Sequence, residues 1–119
     1  MARILSIAST EVLKTTRHLI LENAGHCAIS FAHVPTMEQL ESADKPDLVV
    51  VGHGFGGSEK RKIALTLNQL FPGIPILEMC LHSPEIPGSD FILLSNSPEH
   101  LESAISEILA GRRVRGFIS

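Results

Sequence analysis

The side chains with the most chemical potential are His53, Glu78, Cys80 and His82, together with the run Gly52-His53-Gly54-Phe55-Gly56-Gly57. Glycines let backbone N–H groups come close to an anion, and the N-terminus of a following helix adds partial positive charge. Gly52, His53, Gly54, Gly56 and Gly57 therefore read as an anion-binding loop, with a ligand-free connection as the plain alternative. The run lacks the Gly-Lys-Ser/Thr ending of a Walker loop and the spacing and acidic partner of a dinucleotide fingerprint. Thiolate and imidazole are good zinc ligands. However, His53, Cys80 and His82 contain no local ligand pair and find no fourth ligand, so neither a metal nor a cofactor is expected. Cys80 as a nucleophile with His53 as its base completes no set of acid, base and nucleophile, and the chain reads as a non-enzyme. Glu78 lies two residues before Cys80, so strand alternation puts both on one side. It reads as a buried, hydrogen-bonded acid with a raised pKa. Arg112, Arg113 and Arg115 form the basic cluster, placed where positive charge complements a helix C-terminus.

The elements that must position these groups alternate along the chain. Ile4-Leu5-Ser6-Ile7-Ala8 reads as a buried strand running to a cap at Ser9-Thr10. Leu13, Thr16, Ile20, Leu21 and Ala24 recur at helical spacing, and Asn23 and Gly25 stop that helix. Cys27, Ile29 and Phe31 alternate with Ala28 and Ser30 as a half-covered edge strand. Thr36 caps a short helix carrying Met37 and Leu40. Leu48-Val49-Val50-Val51 is a central parallel strand, and the glycine run follows it. Ile63, Leu67, Leu70 and Phe71 mark the next helix. Pro75 to Cys80 and Phe91 to Leu94 are the fourth and fifth strands, and Pro84, Pro87 and Gly88 leave no long helix between them. Ser97 then caps a last helix with Pro98 at its first position and Leu101, Ala104, Ile105, Ile108 and Leu109 inward. Apolar strands alternating with helices imply a five-stranded parallel sheet covered on both faces, in the flavodoxin-like order 2-1-3-4-5.

The bulk numbers fit one domain over residues 1–119. Hydrophobic residues are 44% of the chain, enough for a core without staples. A net charge of -3, with no Trp and no Tyr, gives no electrostatic or stacking case for nucleic acid. Cys27 and Cys80 both sit in apolar runs and read as buried thiols in a reducing compartment. There is no signal-peptide pattern, and no apolar stretch reaches the roughly 18 residues of a membrane span, so a cytoplasmic location is expected.

Several pieces in order resemble the receiver domain of bacterial response regulators over nearly the whole chain. They are Arg3-Ile4-Leu5, Leu19-Ile20-Leu21-Glu22-Asn23-Ala24-Gly25-His26, Lys45-Pro46-Asp47-Leu48-Val49-Val50-Val51, and Gly88-Ser89-Asp90-Phe91-Ile92-Leu93 followed by Ser97-Pro98-Glu99-His100-Leu101. The resemblance implies an aspartate phosphoacceptor after strand three and an acidic pair for Mg²⁺ after strand one. It also implies a Ser or Thr after strand four and a Lys after strand five. Those positions fall here on Gly52 with His53 beside it, on Ala8 and Ser9, on Cys80, and on Leu94. Asp47 and Asp90 lie at the far ends of their strands, Asp47 about 16 Å away. Glu11 and Glu59 belong to helix starts.

The implied function is that of a receiver-like signalling module in a two-component or phosphorelay pathway, acting by protein–protein contact without being phosphorylated. The alternative is a flavodoxin-like domain that binds a small anion or nucleotide on the Gly52–Gly57 loop. In the order 2-1-3-4-5 the fifth strand is a sheet edge, and the helix that covers it in receivers is shortened or lost. Phe91, Ile92, Leu93 and Leu94, with the last helix, are therefore the expected interface for a second copy or a signalling partner.

Overall fold

The computed structural model describes residues 2–80, 86, 89–95 and 97–111, and the backbone of 117–118. The elements follow the order β1 (Arg3–Ala8), α1 (Glu11–Asn23), β2 (Cys27–Ala32), α2 (Met37–Glu41), β3 (Leu48–Val51), α3 (Gly57–Leu70), β4 (Ile76–Met79), β5 (Phe91–Leu94), α4 (Pro98–Leu109) and β6 (Phe117–Ile118). All paired strands are parallel, and the first five stand in the order β2-β1-β3-β4-β5. This is the expected flavodoxin-like sheet.

Alternation along the strands sends successive side chains to opposite faces. One face carries Ile4, Leu48, Val50, Leu77, Met79 and Leu93 against Leu21 of α1 and Leu101, Ala104, Ile105 and Ile108 of α4. The other carries Leu5, Ile7, Val49, Val51 and Ile76 against Leu40 of α2 and Ile63, Ala64 and Leu67 of α3. Strands covered on both sides need apolar residues at every position, and β3 is buried along its whole length.

Local signals place the helix ends. Thr10 Oγ1 accepts from the Leu13 amide at 3.2 Å and starts α1. Thr36 and Gln39 form a reciprocal capping box on α2. Ser97 stands at the N-cap of α4, but its hydroxyl donates to Glu99 at 2.7 Å instead of accepting from the backbone. Proline at the first helical position loses no hydrogen bond there.

Three expectations need correction. β5 is not the outermost strand, because the two-residue β6 pairs with it along Leu93↔Phe117 and Leu94↔Ile118. Cys27 is an exposed free thiol: it opens the edge strand β2 and pairs with the exposed Arg3. The inward face of α1 runs through Arg17 and Leu21, while Thr16 and Ala24 are exposed. Cys80 is buried, as expected. No helix is described between β4 and β5, and most of that connection, including Leu81, His82, Pro84, Pro87 and Gly88, lies outside the described residues. So do Arg112, Arg113 and Arg115. Among the described residues, no helix is long and apolar enough to cross a membrane.

Leu77 is fully enclosed between α4 and its neighbouring strands, so Leu77→Ala leaves a cavity. Urea denaturation should show a loss of about 2–5 kcal/mol. Leu65→Ala, at a position 66% exposed, should stay within roughly 0.5 kcal/mol of the parent.

Candidate functional site

Parallel pairing brings the carboxyl ends of four strands to one rim. Ile7 stands beside Val51, Val51 beside Glu78, and Met79 beside Leu93. The Gly52 amide donates to Ile7 O at 2.9 Å, and the Cys80 amide donates to Leu93 O at 3.0 Å. Ala8, Ser9, Gly52, His53, Cys80 and Leu94 therefore line the same edge of the sheet, as the sequence implied. Asp47 is at the opposite edge, where its carboxylate accepts from the Arg3 amide at 2.8 Å. Asp90 is there as well, accepting from the Ile76 amide at 2.9 Å.

The central residue of this rim is Arg17, which the sequence reading passed over. Its signal was present: Leu13, Arg17 and Leu21 are spaced four apart, one stripe of a helix. α1 lays that stripe on the sheet, so the Arg17 side chain crosses β1 toward β3 and is only 4% exposed. Gly52 follows Val50 on the same face by alternation. A β-carbon built on Gly52 would collide with Nη1 of Arg17 and come within 3.1 Å of its Cζ. The absent side chain at position 52 is thus the space in which the guanidinium sits. Nη1 is buried and has no hydrogen-bond partner among the described residues. Burial pushes the Arg17 pKa below its ordinary value. An arginine nevertheless stays charged at neutral pH. The ion pairs among the described residues are Lys14–Glu11 and Lys60–Glu78, and neither reaches Arg17.

His53 is half-buried beside it, with Nε2 enclosed and unpartnered. Burial, then the charge of Arg17, then that of Lys60 hold its pKa below 6.5. Gly54 has φ +95 and faces the Ser9 hydroxyl, which would be 2.5 Å from an added β-carbon, so glycine is required there on both counts.

The opposite face of the rim is neutralised. Lys60 Nζ lies 2.9 Å from Glu78 Oε2, with the two residues 3% and 0% exposed. Glu78 Oε1 accepts from the Ile86 amide at 3.1 Å, and the Ser89 hydroxyl lies 2.8 Å from it. Glu78 is buried and hydrogen-bonded as expected, but its charge partner on α3 was not anticipated. Lys60 sits one helical stripe position before Ile63, Ala64 and Leu67, and that is its sequence signal. The carboxylate ties the returning chain at Ile86 and Ser89 to β4 and is already fully engaged.

The glycine loop is a weaker anion cradle than its composition implied. Its Gly52 amide is given to Ile7, and its Gly56 amide donates to the Glu59 carboxylate at 2.9 Å. That carboxylate already occupies the start of α3. Among the described residues, no group of three or more His, Cys, Asp or Glu could hold a metal ion. His82 lies outside them. Of the expected interface residues, Leu93 is enclosed in the core, while Phe91, Ile92 and Leu94 are half-buried.

No family model and no curated protein sequence matches the chain. Solved structures do. The chain is similar to the chemotaxis protein CheY4 of Vibrio cholerae, with TM-score 0.71 and 15% identity over 91% of this chain and 98% of that one. It is similar to the signal receiver domain of a histidine kinase from Syntrophus aciditrophicus, with TM-score 0.70 and 18% identity over 100% and 98%. It is also similar to the response regulator TrrA of Thermotoga maritima, solved with Mg²⁺ and BeF, with TM-score 0.69 and 15% identity over 91% and 99%. The shared feature at these identities is the receiver fold.

Two outcomes follow from the rim. Lys60→Met or Glu78→Gln alone strands a buried charge and should cost about 3–5 kcal/mol in chemical denaturation, while the double variant should recover most of it. An NMR titration of His53 should have its midpoint below 6.5 and should shift upward in Arg17→Met. The unfolded chain takes that proton before the folded chain does, so the His53 contribution to stability is lost as pH falls through about 6.5.

Proposed function

We propose that this chain is a receiver-like signalling module of a two-component or phosphorelay pathway that acts through protein contact and is not phosphorylated. The observation that carries this reading is the Arg17 guanidinium in the volume that a side chain at position 52 would fill. A phosphoacceptor must project from that position. Here it has no side chain, and its space holds a fixed cation.

The surrounding positions point the same way. Mg²⁺ needs hard oxygen ligands, but Ala8 is apolar and fully buried, and Ser9 packs its hydroxyl against Gly54. The buried carboxylate of the rim among the described residues, Glu78, is bound to Lys60. A divalent cation placed beside Arg17 would meet like charge in a poorly solvated site, where repulsion is stronger than in water. Cys80 and Leu94 stand where a hydroxyl and a lysine would hold phosphoryl oxygens.

Without phosphorylation, the remaining output of such a module is the surface it presents. Ile92 and Leu94 are half-buried on the face of β5 opposite α4. This is the surface on which a partner or a second copy is best accommodated. Leu93, enclosed by α4, is not part of it.

The test is exposure of the protein to Mg²⁺ with acetyl phosphate, and separately to Mg²⁺ with beryllofluoride. The expected result is no mass addition and no Mg²⁺-dependent amide shift at Gly52 or His53. The Gly52→Asp variant should likewise stay unmodified, because the acidic pair is still missing and Arg17 captures the new carboxylate. A stoichiometric phosphoryl adduct on the parent protein would contradict the reading.

A further inference from the structure

In open parallel sheets, ligands settle outside the carboxyl ends of the strands where the strand order reverses. For this sheet that place is the crevice between β1 and β3, bounded by Ser9, Gly52, His53 and Gly54. Its charge balance is unusual. Lys60 is met by Glu78, but Arg17 has no counter-charge among the described residues. A buried ion without a partner costs several kcal/mol, so such groups are normally paired or hydrogen-bonded.

Among the described residues three buried side-chain atoms lack hydrogen-bond partners, Ser6 Oγ, Nη1 of Arg17 and Nε2 of His53, and the two nitrogens flank Gly52. Both nitrogens can donate, the second when its tautomer or protonation provides the hydrogen. The Arg17 guanidinium lies against Gly52, the residue next to His53 in the chain. Of the residues around Arg17, His53 is half-buried and Gly54 is exposed. A guanidinium presents a planar fork that matches a carboxylate or phosphate edge.

We propose that the β1/β3 crevice binds a small oxyanion between Arg17 and His53. The polarity is opposite to that of a divalent-cation site. The ligand is phosphate-sized or carboxylate-sized, with its negative charge set against Arg17 and one oxygen accepting from His53 Nε2. This site is distinct from a cradle made of loop amides, since the Gly52 and Gly56 amides are already given to Ile7 and Glu59. It does not depend on the signalling reading: the anion binds without Mg²⁺ and without bond formation.

The experiment is thermal unfolding of the full chain titrated with inorganic phosphate, and separately with acetate, against sodium chloride of matched ionic strength. A saturable rise in Tm with at least one oxyanion and none with chloride is expected. At a hundred times Kd the folding equilibrium should shift about a hundredfold toward the native state. The arm that saturates identifies the ligand as phosphate or carboxylate. Arg17→Met removes the unpaired charge, so it should melt no lower than the parent in chloride and should lose the oxyanion response. His53→Ala should keep its fold and bind more weakly. Amide shifts on adding the anion should concentrate at Gly52, His53 and Gly54, which keeps the test decisive should Arg17→Met fail to fold. No saturable response to either anion, an unchanged response in Arg17→Met, or amide shifts confined to other residues would overturn the proposal. The Mg²⁺ and acetyl phosphate test is unaffected by any of these results.

Discussion

Two groups cannot share one volume, and at the centre of this molecule the choice between them is visible. Either position 52 carries a side chain or the Arg17 guanidinium lies over β3. The chain has glycine at 52 and arginine four residues before the buried Leu21, so the guanidinium takes the space. The rest of the rim is arranged around that choice. Burial and neighbouring positive charge hold the His53 pKa below its ordinary value. Ser9 closes against Gly54.

The two faces of the rim handle charge differently. On the α3 face, Lys60 and Glu78 are both enclosed, and each satisfies the other, with Ile86 and Ser89 completing the carboxylate. Such a pair is a registry device more than a source of stability: it fixes where the chain returns to the sheet after β4. On the α1 face, Arg17 is enclosed without a counter-ion among the described residues. A fold tolerates one such charge only if the surrounding core supplies the difference or a ligand does. The same residue therefore argues against phosphorylation and in favour of an anion.

Much of the architecture was legible because it depends on period and punctuation. Leu48-Val49-Val50-Val51 had to be a doubly covered strand, and Thr36 and Pro98 had to start helices. What was not legible depended on which polar residues the helices turn inward. Arg17 and Lys60 look like surface charges in a linear reading, since long cationic side chains are seldom buried. Only their spacing to Leu21 and to Ile63 and Leu67 betrays them. The exposure of Cys27 was not legible because an apolar run does not reveal that its first residue lies at the exposed start of an edge strand. The edge status of β5 was misjudged because Phe117 and Ile118, a two-residue strand after a basic stretch, carry no period of their own. That position 52 is glycine could be read directly, but not that Arg17 fills the space it leaves.

The most direct measurement of that central contact is a double-mutant cycle between Gly52→Ala and Arg17→Ala, read by chemical denaturation. Gly52 has no positive φ, and the nearest backbone atom to an added β-carbon, Ile7 O, is 3.4 Å away, so alanine meets no obstacle there except the guanidinium. In the parent background Gly52→Ala should therefore destabilise by about 1–3 kcal/mol, the range for forcing extra volume into a packed site. In the Arg17→Ala background the same substitution should cost close to nothing. An equal cost in both backgrounds would mean that Arg17 does not occupy the place of the missing side chain.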